Sequence, residues 1–241
     1  MKRIFFAFAM LISLSSIAQW GPWEKIEGNG HIKKETRSAA NYTAIASSGS
    51  WDVMVAYGDN SSIQVEGDEN LLAYIETSVE DGKLTIKSKK GVNLRSKNKI
   101  TIYVALTKLT GVSLSGSGDI LGEGKFNNDG KTEFRLSGSG SIKMAFNKIK
   151  NVEVGISGSG NIRLSGSASM VAARISGSGN ADCSELICDD ASAHISGSGN
   201  VKLNANTSID ASISGSGNVS YRGAASDVKK HVSGSGRLVK A

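Results

Sequence analysis

Basic side chains recur in two groups whose members are spaced by about 20 residues or a multiple of 20. Their N–H donors and positive charge suit binding of a carboxylate or a phosphate. Because the spacing matches a sequence repeat, each group is predicted to form one column on the outside of a stacked structure. The first column contains Arg135, Arg174, His194 and His231, and the second contains Lys143, Arg163 and Lys202.

Acidic side chains also occupy outward positions, and the chemistry that they could perform is glycoside hydrolysis. That reaction requires two carboxyl groups about 5–9.5 Å apart. Glu133 and Glu153 are displaced from the basic residues in the alignment of the repeats, and no acidic pair recurs in neighbouring repeats. The pattern is therefore typical of a solvated face with mixed charge, and no catalytic residue is predicted.

Two cysteines lie close together at Cys183 and Cys188, and a disulfide between them is left open. Cys183 aligns with apolar residues of the other repeats, which favours a buried free thiol. Neither a His nor a further Cys completes a metal-ligand set, so no metal site is predicted. The recurring Gly-Ser-Gly lacks the third glycine and the helix of a dinucleotide fingerprint, so no cofactor is predicted either.

The elements that must position these side chains are defined by seven copies of Ser-Gly-Ser-Gly-X, here called the corners. An aliphatic residue precedes each corner, and another apolar residue follows it. Glycine permits a sharp bend, and asparagine, which fills X in four copies, tolerates the left-handed conformation. The corners begin at Ser115, Ser137, Ser157, Ser176, Ser196, Ser214 and Ser233.

The flanking residues alternate between apolar and polar, which is typical of strands with one buried face. About 20 residues per repeat suits one coil of a stack, since successive strands lie about 4.8 Å apart. The sequence therefore predicts an all-β fold, a right-handed parallel β-helix with single-stranded rungs over 111–241. Leu136, Ile156, Ile175, Ile195 and Ile213 are predicted to form one inward ladder.

The N-terminal part of the chain has a different texture. Residues 1–18 resemble a secretory signal peptide, with Lys2 and Arg3 before a short apolar run. Residues 19–40 are predicted to be a flexible lead, of which the segment 27–32 resembles a degenerate corner and could pack onto the body. Residues 41–110 show alternating strands and hairpin turns, with one helical turn at 70–74. The prediction is one β-helical domain over 41–241, with this N-terminal β-rich segment.

Three segments together resemble a known family. They are Gly67-Asp68-Glu69-Asn70-Leu71-Leu72, Val79-Glu80-Asp81-Gly82-Lys83-Leu84-Thr85-Ile86 and the corner at 115–120. The chain from about residue 43 to 221 is similar to the family called putative auto-transporter adhesin, head GIN domain. The resemblance implies a right-handed parallel β-helix in a secreted envelope protein of Gram-negative bacteria, and it implies no catalytic motif.

Three classes of function follow from these expectations. The first, which the sequence favours, is a non-catalytic, adhesin-like binding module exported to the periplasm, the outer-membrane surface or the medium, with a glycan or a surface protein as partner. The alternatives are a carbohydrate-active β-helix enzyme and a structural or assembly subunit of the envelope. The formal net charge of +6 is spread along the chain, so no nucleic-acid partner is predicted. No membrane-spanning segment is predicted after removal of the signal peptide, and the oligomeric state stays open.

Overall fold

The computed structural model describes residues 23–241, and nearly all of its regular structure is β-strand. The predicted signal peptide lies outside the described residues. The N-terminal part contains nine strands and one short helix, in chain order β1 (Glu24–Glu27), β2 (Ile32–Arg37), β3 (Ala44–Gly49), β4 (Asp52–Tyr57), β5 (Ser62–Asp68), α1 (Glu69–Leu72), β6 (Ile75–Glu80), β7 (Lys83–Ser88), β8 (Val92–Arg95) and β9 (Thr101–Leu106).

The repeats form the second group of strands, five of which are long because each continues around most of a coil. These strands are β10 (Gly111–Gly116), β11 (Asp119–Gly138), β12 (Ser141–Gly158), β13 (Asn161–Gly177), β14 (Asn180–Gly197), β15 (Asn200–Gly215), β16 (Asn218–Arg222), β17 (Asp227–Ser233) and β18 (Arg237–Lys240). Neighbouring coils pair in parallel and form a β-solenoid of about six turns, as the sequence predicted.

Burial of the aliphatic ladder holds the coils together. Leu136, Ile156, Ile175, Ile195 and Ile213 are register partners in successive strands, and each is at most 3% exposed. The predicted inward ladder is therefore confirmed. Each ladder side chain packs against those of the coils above and below it, so its apolar surface is removed from water. Burial of apolar surface is the main favourable contribution to folding.

The glycines of the corners permit the backbone of one coil to lie directly on that of the next. At Gly158 the backbone φ is 121°, a value that residues with a Cβ atom rarely adopt. At Gly179 a Cβ atom would lie 2.6 Å from the carbonyl oxygen of Gly160. Asparagine does not adopt the left-handed conformation here, since Asp81 is the one non-glycine residue with positive φ in the described chain. The expectation of a left-handed Asn was wrong.

The solenoid begins before the first corner found in the sequence. Strand β3 pairs in parallel with β10, placing Ser48-Gly49-Ser50-Trp51 beside Ser115-Gly116-Ser117-Gly118, and β4 pairs with β11. A tryptophan at the position of the second glycine hides this corner from a search for the repeat. Residues 44–57 therefore supply a coil that the prediction of rungs over 111–241 missed.

The coil next to it is formed by residues later in the chain. Strand β7 pairs in parallel with β3, and β9 pairs in parallel with β4. From β9 the chain passes across the coil of β3 and β4 to β10 on its other side. Sequence order and stacking order therefore differ at this end, and the apolar side chains of β7 and β9 are buried in this coil beside that of β3 and β4.

Antiparallel strands cover the N-terminal end of the stack. Strand β6 pairs with β7, β5 with β9, and β2 with β5, while α1 follows β5. Strand β1 pairs in parallel with β8 in a separate two-stranded sheet. The expectation of flexibility is thus wrong for residues 24–37, which contain the two paired strands β1 and β2. The segment 27–32, which was expected to pack onto the body if it resembled a corner, does so: Gly28 N–H donates to Arg95 O and Gly30 N–H to Asp68 Oδ1. Residues 19–22 lie outside the described part.

At the other end the last coil is partial. Strand β17 pairs with β15, and β18 pairs with β16, so both are edge strands. Between residues 23 and 241 no helix is long and apolar enough to cross a membrane.

Candidate functional site

Parallel pairing brings the first basic column together on the strands that precede the corners. The register runs Arg135, Gly155, Arg174, His194, Ser212 and His231. These positions project outward because the residues on either side of each belong to the buried face. Arg135, Arg174 and His194 are exposed, and Gly155 and Ser212 interrupt the predicted column at two coils.

A groove of about 580 Å³ runs along this column. Serines of the corners form one side of the groove, and Arg135, Arg174 and His194 lie along it. The buried ladder and the small residues Ala46 and Gly155 contribute apolar surface to the floor. In stacking order the groove crosses seven strands, which are β7, β3, β10, β11, β12, β13 and β14. At about 4.8 Å between neighbouring strands, its length is roughly 29 Å. His231 lies on β17 and does not line it.

Gly155 permits Arg135 to extend toward the next coil. A Cβ atom at position 155 would lie 3.0 Å from Nη1 and 3.2 Å from Cδ of Arg135. The long guanidinium side chain therefore covers the space that a side chain at 155 would fill. Gly155 belongs to no corner, so the repeat in the sequence did not indicate this role.

The charges along the groove are unequally neutralised. Arg135 Nη2 lies 3.5 Å from Glu133 Oε2 and 3.8 Å from Glu153 Oε2. By contrast, Arg174 and His194 form no ion pair within 4.0 Å in the described chain. The part of the groove around Arg174 and His194 therefore presents donor groups that form no ion pair, and the nearby carboxylate is Asp210, which lines an adjoining pocket with them.

The second basic column is interrupted by an acid. Lys143, Arg163, Asp182 and Lys202 are register partners, and Arg163 Nη2 donates to Asp182 Oδ2 at 3.1 Å. Burial raises the pKa of Asp182, but hydrogen bonds from Ser184 and Arg163 more than offset this and lower the pKa below its usual value. The charge of Arg163 is already partly neutralised, which makes this column a weaker anion site.

An asparagine ladder lies beside the second column and was missed by the sequence analysis. Nδ2 of Asn180 donates to Oδ1 of Asn161 at 3.0 Å, and the same bond joins Asn200 to Asn180 and Asn218 to Asn200. The signal was the repeated Asn after the corner, which was interpreted as a backbone requirement. Its actual role is a chain of side-chain amide hydrogen bonds between coils.

Glu133 and Glu153 are direct register partners, and the next coil places Ala172 beside Glu153, so this acidic pair does not recur. Lys131 lies between them, with Nζ 2.5 Å from Glu133 and 3.1 Å from Glu153. Hydrogen bonding to Lys131 lowers the pKa of Glu133. A general acid requires a raised carboxyl pKa, so this pair has the properties of a surface ion-pair network.

The two cysteines are free and buried, which answers the question that the sequence left open. Burial raises the pKa of Cys183 and that of Cys188 to about 12, so both thiols stay protonated near neutral pH. Cys183 occupies the inward position expected from the repeats. Among the residues from 23 onward, no group of three or more His, Cys, Asp or Glu side chains could hold a metal ion.

Comparisons with solved structures show the same architecture in two other bacterial proteins. A protein from Bacteroides fragilis NCTC 9343 described as a putative adhesin is 23% identical, with a TM-score of 0.85 over 90% of this chain and 100% of that one. One from Parabacteroides distasonis ATCC 8503 described as a putative lipid binding protein is 25% identical, with a TM-score of 0.75 over the same shares. No curated protein matches the sequence.

The family comparison agrees with the features that the chain shares across most of its length. The model of the family described as putative auto-transporter adhesin, head GIN domain matches residues 41–225. This range includes the early coil, the antiparallel cover apart from β2, and six of the seven corners. The parallel solenoid and the match across three quarters of the sequence together show that the chain belongs to the putative auto-transporter adhesin, head GIN domain family.

Proposed function

We propose that this chain is an exported, non-catalytic binding module that attaches to an anionic surface molecule through the groove along the first basic column. The observation that supports this function is the pair Arg174 and His194, which line the groove and form no ion pair within 4.0 Å among residues 23–241. An ion pair already formed within the protein would have to be broken before a ligand could bind. Arg174 and His194 need no such exchange.

The shape of the groove favours an extended ligand with both apolar and acidic parts. Arginine presents several N–H donors to a carboxylate or phosphate, while the stems of the arginines and the serine Cβ atoms contact apolar groups. An acidic glycan or the headgroup of an anionic lipid has this chemistry. The likeness to a Parabacteroides distasonis protein described as a putative lipid binding protein supports testing the lipid directly.

A non-catalytic role is supported by the state of the acids. The carboxyl groups whose pKa is shifted, Glu133 and Asp182 among them, are shifted downward by cationic or hydrogen-bonding partners. Such groups remain ionised at neutral pH and serve as acceptors or counter-ions. Membership of an adhesin-type family agrees with recognition rather than turnover.

The test measures binding of the purified protein to vesicles with and without phosphatidylglycerol, and to a polymer of galacturonic acid. Replacing both Arg174 and His194 by glutamine should weaken binding about tenfold or more, since hydrogen bonds to charged groups contribute about 1.5–3 kcal/mol each. The control Arg163→Gln removes an exposed arginine that already bonds to Asp182 and should change binding little. Equal losses in the two variants would contradict the groove assignment.

A further inference from the structure

The first basic column is interrupted at Gly155, which lies between Arg135 and Arg174. Parallel pairing aligns these three residues on the consecutive strands β11, β12 and β13. With about 4.8 Å between neighbouring strands, the α-carbons of the two arginines are roughly 10 Å apart. A side chain at position 155 would stand between the two arginines. The glycine therefore leaves a notch in the wall of the groove, here called the Gly155 notch.

The side chain of Arg135 extends into this notch. The Cβ atom that position 155 lacks would lie 3.0 Å from Nη1, 3.2 Å from Cδ and 3.7 Å from Cζ of Arg135. The end of the side chain thus lies against the backbone of β12, one coil nearer to Arg174 than its own strand. Because Arg174 starts on the next strand, about 4.8 Å further on, both guanidinium groups are within reach of one ligand group on the solvent side of Gly155.

The acidic neighbours of Arg135 have a counter-ion of their own. Nη2 of Arg135 lies 3.5 Å from Glu133 and 3.8 Å from Glu153. Lys131 Nζ is closer to the same two carboxylates, at 2.5 Å and 3.1 Å. Exposed ion pairs contribute little to stability, so Arg135 can turn to a ligand while Lys131 continues to neutralise both acids. No acidic residue is among those that line the groove.

On the other side of Arg174, the charged neighbours lie further from the notch. His194 follows Arg174 in register, and Asp210 lines an adjoining pocket with these two residues. Asp210 belongs to β15, three strands from Gly155. The carboxylate therefore adjoins the end of the groove at His194, and the space over Gly155 is left to the two arginines.

Two neighbouring guanidinium groups match a phosphate monoester better than a carboxylate. One planar guanidinium is enough to donate to both oxygens of a carboxylate. A phosphate monoester has three terminal oxygens and a charge of about −1.5 to −2 at neutral pH, so it can accept hydrogen bonds from two arginines at once. A phosphodiester has only two terminal oxygens and a single negative charge.

We propose that the groove binds a phosphate monoester at the Gly155 notch, held between the guanidinium groups of Arg135 and Arg174. This inference rests on the proposed function, because it assigns the anionic group of the ligand to a place in the same groove. Gly155 is then a specificity-determining residue, since its lack of a side chain brings Arg135 to Arg174. A lipid headgroup such as phosphatidic acid and a phosphorylated sugar present the same three oxygens.

The experiment compares ligands that differ in their anionic group. In the lipid arm, the purified protein is titrated with phosphatidylcholine vesicles that contain phosphatidic acid or phosphatidylglycerol, matched in total lipid charge. In the sugar arm, calorimetry compares glucose 6-phosphate with glucuronate. We expect the phosphate monoester to bind about tenfold more tightly than its counterpart in at least one arm, and that arm identifies the source of the phosphate.

The two proposals fail in different ways. Binding of phosphatidylglycerol vesicles or of galacturonic acid polymer without a preference for the monoester in either arm would overturn this inference and leave the proposed function standing. The absence of binding to every anionic ligand would overturn both.

The variant Gly155→Val tests the role of the glycine without a change of charge. Valine suits an outward strand position, and its side chain would displace the Arg135 guanidinium from the backbone of β12. We expect the tenfold preference for the monoester to be lost. The matched control is Ala145→Val, at another outward position of β12 that does not line the groove, and it should keep the preference.

The variant Arg135→Gln gives an independent test, because it removes one guanidinium from an exposed side chain that the core does not need. The preference for the monoester should be lost here as well. Thermal unfolding checks that all three variants are folded. A preference retained by folded Gly155→Val or by Arg135→Gln, or one lost equally in Ala145→Val, would refute the assigned site.

Discussion

At the scale of single residues, Asp68 shows how one buried carboxylate joins separate stretches of the N-terminal cover. It is fully buried and accepts hydrogen bonds from the backbone N–H groups of Gly30, Lys97 and Asn98 and from the side chain of Asn98. Burial raises its pKa, but these hydrogen bonds prevail and lower it below the usual value. The carboxylate therefore fixes the segment between β1 and β2 against the solenoid.

The lowered pKa determines the pH dependence. Stabilisation by Asp68 is fully present above the unfolded-state pKa of about 3.9 and is lost as pH falls through the lower folded-state pKa. We expect Asp68→Asn to reduce the free energy of unfolding by about 1–3 kcal/mol at pH 7 and to flatten its decline below pH 4. Urea denaturation at pH 7 and pH 3 measures both. Glu69→Gln, at an exposed ion pair with Lys33, is the control; an equal loss there would argue against a special role for Asp68.

The cysteines supply a second prediction for single residues. Because burial raises the pKa of Cys183 and of Cys188 to about 12, both should be unreactive toward a thiol reagent at pH 8 in the folded protein. Two thiols should become titratable after unfolding in guanidinium. A chromogenic disulfide reagent measures the reactive thiols of the native and of the unfolded protein. Rapid reaction of the native protein would show that the coil containing the two cysteines opens readily.

At the scale of the strand and corner, the buried ladder and the exposed serines contribute differently to stability. Ile195 is fully buried, whereas Ser196 beside it is exposed. We expect Ile195→Ala to cost ~2–5 kcal/mol by removing packed methylenes. Ser196→Ala should cost at most about 0.5–1.5 kcal/mol. Denaturant unfolding of the two variants tests this, and equal losses would contradict the assignment of the inner and outer faces.

The second glycine of a corner gives a sharper prediction. A methyl group at position 179 would overlap the carbonyl oxygen of Gly160, a backbone atom that cannot move without separating two coils. We expect Gly179→Ala to destabilise the protein by more than about 3 kcal/mol or to prevent folding. At Gly124, where a Cβ atom meets nothing within 4 Å, the change to alanine should be limited to the backbone strain of its φ of 83°. The expression yield and the thermal unfolding midpoint of the Gly179→Ala and Gly124→Ala variants test this difference.

For the whole molecule, the two ends of the solenoid are protected in different ways. Antiparallel strands and a helix cover the N-terminal end, whereas β17 and β18 form an exposed edge that includes Val228 and Val239. Exposed lysines discourage pairing of such an edge with another chain. Replacing Lys229 and Lys230 with serine should therefore increase self-association, measured by light scattering at low and high salt. Unchanged scattering would mean that charge does not protect this end.

Sequence by itself determined the repeating part of the protein. A corner that recurs with fixed aliphatic neighbours specifies strand, bend and buried face, because each coil touches only the next and the same local rule applies every time. The inward ladder, the outward column of Arg135, Arg174 and His194, and the inward position of Cys183 all followed from that rule. The role of Asn after the corner was misjudged, since its partner is another Asn a full coil away.

Tertiary structure alone decided the features at the N-terminal end. The resemblance of residues 27–32 to a corner indicated packing onto the body, but it did not indicate Asp68 as the contact. No local pattern indicates that β7 and β9 stack against a coil made earlier in the chain. Each depends on which distant segments meet, and such pairings are set by total burial and hydrogen-bond completion rather than by neighbouring residues. The pairing of Glu133 with Glu153 has the same origin. The buried side chains set the register between two strands, and the outward residues of those strands become neighbours as a consequence.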